Sequence, residues 1–267
     1  MIHPTAIVHP KANIAEDVDI GPYTVIGENV TIGSGTKIMS SVVIDGWTEI
    51  GKNNRIFPGA AIGLPPQDFG YKGQRAFVKI GDDNEIREYV TIHRAATEDD
   101  TTFVGDQNLL MAYVHIAHNC RVGSQVTIAN YAGLAGYTVV EDQAVLGGLA
   151  GFHQHTRVGR MCMVGGCSKI NKDVPPFSIV DGNPCRIFGM NFRGMRRRDI
   201  SKESRLAVQN AIRILGSMGL TLNDAIERID SELEHTKEII QLLEFLRAPS
   251  HMGVLNKGGR MGARSEK

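Results

Sequence analysis

Apolar residues recur along this chain with a period of six. Every sixth position from Ile2 to Ile170 is Ile, Val, Leu or Phe, except Asp68, Gln74 and Glu98. Neither an amphipathic helix nor an alternating strand repeats in sixes. A hexapeptide β-helix does. Each hexad then supplies one short strand and one turn, and three hexads close a triangular coil that stacks on the next at roughly 4.8 Å. A second column, four residues after the first, carries small side chains. It runs through Ala6, Ala12, Val18, Thr24, Val30, Thr36, Val42 and Thr48, and again from Val114 through Cys120, Val126 and Ala132 to Cys162 and Ser168. Small residues suit an inward position beside a corner. Glycine follows the aliphatic residue in Ile20-Gly21, Ile26-Gly27, Ile32-Gly33 and Val122-Gly123. Its tolerance of unusual backbone angles assigns it to the turns.

The interruptions are as informative as the repeat. Leu64 to Phe77 contains Pro65-Pro66, Gly70 and Gly73 and replaces two apolar slots; Arg94 to Phe103 replaces one. Both segments are expected to loop out while the six-residue phase continues. Long loops on a regular scaffold commonly carry function. Proline cannot donate to a strand ladder, so Pro175-Pro176 is expected to end the solenoid. The expected organisation is mainly β: a β-helix over residues 1–185, a C-terminal helical domain over 186–250, and a flexible tail over 251–267 rich in glycine and basic residues. Within the helical part, Leu206, Ile212 and Leu215 mark one helix. Thr221 and Asp224 form an N-terminal cap for a second, and Ile239 to Leu246 marks another. Flat β faces favour association into a homo-oligomer.

Composition narrows the function. Twenty-nine basic residues balance 29 acidic ones, which argues against nucleic acid as a partner. With no apolar run of membrane-spanning length and no signal peptide, a cytoplasmic protein without a membrane span is expected. The four cysteines include no CxxC pair, so neither a disulfide framework nor a zinc ribbon is expected.

Repeat arithmetic places candidate chemistry. Hexads starting at Ile116, Leu134 and Phe152 lie eighteen residues apart, on one edge of successive coils. Their third positions, His118, Gly136 and Gln154, should stack, with Tyr137, His153 and His115 beside them. Histidine exchanges a proton near neutral pH, and a bare glycine N–H can stabilise an oxyanion. Together they suit acyl transfer to a hydroxyl or an amine. No carboxylate or cysteine completes a metal-ligand set here, so no metal is expected. Between Arg186 and Arg205 lie seven basic residues, among them Arg193, Arg196, Arg197 and Arg198, against only Asp199 and Glu203. Such a patch invites a phosphate-bearing or acidic partner.

The motifs Val90-Thr91-Ile92-His93-Arg94, Asn108-Leu109-Leu110-Met111, His115-Ile116-Ala117-His118, His153-Gln154, Met163-Val164-Gly165-Gly166-Cys167-Ser168 and Asp173-Val174-Pro175-Pro176 make the chain resemble the UDP-N-acetylglucosamine O-acyltransferases, which open lipid A biosynthesis. The resemblance implies a left-handed parallel β-helix and a cytoplasmic homotrimer with a C-terminal helical domain. It also implies transfer of an (R)-3-hydroxyacyl chain from acyl carrier protein to the glucosamine 3-position of a UDP-sugar, with no cofactor. His118 matches the family's general base and Gly136 its oxyanion donor. Asp68, His115, Tyr137, His153 and Gln154 match positions in the substrate site, and Asn191, Arg197 and Arg198 match positions near the nucleotide phosphates or the carrier protein. Gly166 matches the position that limits acyl length, where glycine leaves room for a long chain. Three residues depart from the pattern: Tyr137 stands for a histidine and Asn119 for an aspartate in many members, and Arg193 for a glutamate in some. The first two leave room for an alternative acceptor, a 3-amino UDP-sugar acylated on nitrogen. An acetyl-CoA-dependent hexapeptide acetyltransferase is a further alternative, followed by a metal-dependent hydratase and a non-catalytic scaffold.

Overall fold

The computed structural model describes residues 1–217 and 219–256. Most strands are only two residues long, and the chain visits three sheets in rotation, so that every third strand pairs in parallel with the last. In one sheet Ile7 pairs with Val25, Val25 with Val43 and Val43 with Ala61. The pairing offset is eighteen residues, as the repeat requires. It then grows to thirty between Ala61 and Thr91 and to twenty-four between Thr91 and His115, before returning to eighteen at Gly133. The two interruptions therefore loop out and leave the phase intact.

The aliphatic column fills the prism. Ile26, Ile44, Ile62, Ile92, Ile116, Leu134 and Val158 are fully buried, and so are the small residues Thr24, Val42, Cys120, Ala132 and Cys162. Burial raises the Cys120 thiol to about 12. Three asparagines form a ladder inside one corner. The backbone N–H of Asn84 donates to Asn54 Oδ1 at 2.9 Å, that of Asn108 to Asn84 Oδ1 at 2.9 Å, and that of Val126 to Asn108 Oδ1 at 2.7 Å.

The glycines directly after the aliphatic residue have a different role from the one expected. Left-handed backbone at the turns is carried by Gly35 and Gly59, as glycine's freedom suggests, but also by Tyr113, Asn119, Gln125, Tyr131, Tyr137, Gln143 and Leu149, these seven with φ near +60°. Glycine after the aliphatic residue is needed because coils meet there. A Cβ on Gly33 would sit 2.8 Å from the Gly51 carbonyl carbon, and one on Gly123 would sit 2.9 Å from the Asp142 nitrogen.

Two boundaries also move. The solenoid does not stop at Pro175-Pro176: the strand Ser178–Asp181 still pairs in parallel with Met163–Val164, and Arg186–Met190 returns antiparallel to it. Residues 186–190 thus belong to the sheet, and the β-helix runs past 185. Helix α1 (Phe192–Arg197) follows, then α2 (Lys202–Leu215), α3 (Leu222–Glu232) and α4 (Lys237–Arg247). Thr221 and Asp224 close the expected capping box on α3. The expected tail is anchored at its start. Leu255 N–H donates to the Asp173 carbonyl at 2.8 Å and Val254 and Leu255 are buried; residues 257–267 lie outside the described residues. No described helix is long and apolar enough to cross a membrane.

Candidate active site

The register Thr91–His115–Gly133–Gly151–Lys169 forms one outward row of a sheet. Across Gly133 and Gly151 the surface is bare backbone, with open space where a Cβ would stand. Beside this row opens a cleft of about 800 Å³, lined by His93, His115, His118, Gly136, His153, Gln154 and Lys169 among others. The stack deduced from the repeat is present. A Cβ on Gly136 would meet His118 Cε1 at 2.5 Å, so the imidazole lies flat against this glycine and no larger residue fits. Among the described residues the Gly136 N–H has no hydrogen-bond partner, although those of Ala135 and Tyr137 on either side do.

His118 is buried and hydrogen-bonded through one ring nitrogen. Its Nδ1 lies 2.8 Å from Asn119 Oδ1, and its Nε2 lies 3.5 Å from the Asp68 carboxylate. Asn119 Oδ1 also accepts the Ala96 N–H at 3.0 Å, while its Nδ2 donates to Asp100 Oδ2 at 2.6 Å. Those two bonds fix which end of the amide faces His118. An oxygen there accepts, so the neutral imidazole carries its proton on Nδ1 and presents the Nε2 lone pair toward Asp68. The two loops that interrupt the repeat supply Asp68 and Asp100. They are tied together by the Arg75–Asp99 ion pair at 2.6 Å and by a hydrogen bond from Gln74 to the Ala96 carbonyl.

The rest of the cluster is ordered around this base. Tyr137 meets His118 edge-on at 5.4 Å, stacks on His155 at 4.6 Å, and shares a hydrogen bond with Thr97. His115 Nδ1 bonds Thr91 Oγ1 at 2.7 Å. His93 packs edge-on against His115 at 5.2 Å, and its buried Nδ1 has no partner among the described residues. Burial, then the positive charges possible on His115, His118 and Arg94, push His93 down to about 4. Burial and His118 lower His115 as well. Burial thus favours the neutral forms of His93 and His115, which spares His118 two neighbouring positive charges.

Not every expected residue joins this cleft within one chain. Gly166 stacks on the Gly148 carbonyl at the other edge of the same sheet. Asn191 is spent on structure: its Oδ1 caps α1 through the Gly194 N–H, and its Nδ2 donates to the Met161 carbonyl. Arg198 reaches Gln125 at the third corner of the prism and lines a separate cleft with Arg160 and Lys237, while Arg197 is exposed on α1. Sequence reasoning missed His93, Gln67, Lys169 and Asp100. His93 shares the column of Ala117, Ala135 and His153, so the register would have found it once the six-residue loop was allowed for. Nothing in the periodicity locates Asp100, which lies inside that loop.

Comparison with known proteins places this geometry in a family. The family model described as UDP-N-acetylglucosamine O-acyltransferase, domain 2, matches residues 173–255; bacterial transferase hexapeptide repeats match 101–136, and the C-terminal domain of GMPPB matches 2–63. The acyl-[acyl-carrier-protein]–UDP-N-acetylglucosamine O-acyltransferase of Thermodesulfovibrio yellowstonii is 50% identical over 92% of this chain and 96% of its own. The solved structure of LpxA from Acinetobacter baumannii is 42% identical, with a TM-score of 0.92 over 95% of this chain and 99% of that one. LpxA of Bacteroides fragilis, a UDP-N-acetylglucosamine acyltransferase, gives 39% and 0.92 over 96% and 100%. Sharing their sequence and their left-handed β-helical fold from end to end of the matched region, this chain belongs to the UDP-N-acetylglucosamine O-acyltransferase family.

Proposed function

We propose that this protein transfers an (R)-3-hydroxyacyl group from acyl carrier protein to the 3-hydroxyl of UDP-N-acetylglucosamine, the first step of lipid A biosynthesis, with His118 as general base. The observation that carries this reading is the hydrogen bond from His118 Nδ1 to Asn119 Oδ1, which leaves the Nε2 lone pair free at the wall of the cleft, close to Asp68. Nε2 takes the proton of the 3-hydroxyl as the oxygen attacks the thioester carbonyl. The Gly136 N–H receives the oxyanion that forms. Collapse of the tetrahedral intermediate breaks the carbon–sulfur bond, and the departing thiolate recovers the proton from His118. Asp68 faces the acceptor as a hydrogen-bond partner of the sugar. The bare backbone at Gly133 and Gly151 gives the acyl chain a floor without side chains.

In this reading the protein works in the cytoplasm as a homotrimer. Gly166 and Arg198 lie at two corners of the prism and His118 at the third. A threefold assembly of prisms brings different corners of neighbouring chains together. The acyl-length and phosphate roles of Gly166, Arg197 and Arg198 then belong to a site shared between chains, while Asn191 holds α1 in place.

The test is direct. His118→Ala is expected to lower turnover of UDP-N-acetylglucosamine by about 100-fold or more while the fold is retained. Products are read by mass spectrometry across a series of (R)-3-hydroxyacyl carrier proteins. Turnover within a few-fold of the unaltered enzyme rejects His118 as the base. The neutral Asn119 beside His118 favours one second reading: an amine is the stronger nucleophile and asks less of its base. The same assay with the 3-amino UDP-sugar distinguishes amide from ester formation.

A further inference from the structure

We propose that Asp100 is a positioning residue for this reaction: acting through Asn119, it fixes the proton of His118 on Nδ1 and supplies the negative charge that the base's immediate neighbour lacks. The inference rests on the reading of His118 as the general base.

Asn119 is a neutral amide whose two ends are chemically different. If its Nδ2 faced His118, it would meet an N–H with an N–H, or force the imidazole proton onto Nε2 and remove the lone pair from the cleft. Two groups prevent that rotation. The Ala96 N–H donates to Oδ1 at 3.0 Å and Asp100 Oδ2 accepts from Nδ2 at 2.6 Å, which leaves Oδ1 2.8 Å from His118 Nδ1. Asp100 is itself held: the Thr101 N–H donates to its Oδ1 at 2.7 Å, and the Phe77 N–H donates to its carbonyl at 2.9 Å. Asn119 is buried, so water does not replace these partners cheaply.

A carboxylate two hydrogen bonds from the imidazole also stabilises the imidazolium formed on proton abstraction. Charge-assisted bonds of this kind are shorter and stronger than neutral ones, and the 2.6 Å contact has that length. Asp100 lies in the loop that interrupts the repeat, where its position is free of the six-residue constraint. That freedom lets the loop deliver a carboxylate to a corner whose own left-handed position is occupied by Asn119.

The experiment moves the charge. Asp100→Ala is expected to lower kcat by about 10- to 100-fold, with KM for UDP-N-acetylglucosamine changed less than about twofold. Adding Asn119→Asp to Asp100→Ala places a carboxylate directly on His118 Nδ1, where the Asn119 amide stands, and leaves no second carboxylate facing it. The double variant is expected to recover to within about threefold of the unaltered kcat, since the orienting acceptor and the charge are both restored. A residue that merely braced the loop would not be rescued from position 119. The proposal is overturned if Asp100→Ala keeps kcat within about threefold, or if the double variant stays as slow as the single one. Should Asp100→Ala unfold, Asp100→Asn preserves the loop, removes the charge, and is read by the same rescue. His118→Ala in the same assay separates the two claims. If it is inactive and the rescue fails, only the role of Asp100 falls; if it stays active, the base reading falls whatever Asp100 does.

Discussion

At the scale of the residue, the site depends on keeping imidazoles neutral beside one working base. His93 is the clearest case, because its folded value sits near 4 through burial and the neighbouring histidines and Arg94. In the unfolded chain it takes up a proton near pH 6.5. As pH falls from about 6.5 toward 4 the unfolded state therefore binds the proton that the folded state refuses, and stability is lost over that window. His93→Gln is expected to shrink the loss between pH 7 and pH 4.5 by about 2 kcal/mol. Urea melts at the two pH values check it, and an unchanged difference rejects the assignment. How readable such residues were differs by position. His118, Gly136, His153 and Gln154 follow from counting in eighteens, because the repeat fixes every corner. Asp100 and the amide orientation of Asn119 do not, because a loop's path is set by contacts such as Arg75 with Asp99 rather than by a period.

At the scale of the element, each two-residue strand is too short to stand alone, and its stability comes from the coils above and below. The asparagine ladder shows what the small column can add. Asn84 Oδ1 is the acceptor for the buried Asn108 N–H. Asn84→Ala is expected to cost about 1–3 kcal/mol by leaving that donor unpaired. Asn84→Thr should cost distinctly less, because Thr36 Oγ1 accepts the Asn54 N–H at 3.2 Å in the same column. Equal losses in urea denaturation would show that side-chain volume, not the hydrogen bond, decides this position. The hexads, both loops and three of the four helices were legible from apolar spacing and caps. The role of the glycine that follows the aliphatic residue was not. Sequence reports glycine's freedom at turns, whereas its smallness between coils becomes visible only when two coils are stacked, as at Gly33 and Gly51. The strand Arg186–Met190 escaped for a related reason: it pairs antiparallel by a hairpin after the repeat has ended.

At the scale of the whole molecule, the helical part is clasped to the β-helix. Buried Asp173 receives the Arg157 guanidinium at 2.7 Å, Arg157 lies over the Phe245 ring, and the segment at Val254 pairs beside Asp173. Asn191, which caps α1 and donates to the Met161 carbonyl, keeps the basic cluster at a corner away from His118. A single chain thus separates the base from the arginines that the resemblance assigns to substrate, and the proposed homotrimer reunites them across neighbours. Mixing tests this without any structure of the assembly. His118→Ala chains lack the base but keep Arg198; Arg198→Ala chains keep the base. Arg198 is exposed and its side chain bonds only Gln125 among the described residues, so its loss should spare the fold. Each variant alone is expected to be at least about tenfold slower, since every site lacks one part. After joint unfolding and reassembly in equal amounts, a shared site is complete when a base-bearing chain meets an arginine-bearing neighbour, which random cyclic assembly grants to about a quarter of sites. Recovery near that fraction establishes sharing between chains. If the mixture is no faster than the average of the two variants, each site is built within one chain, and Arg198 must reach its substrate from its own corner.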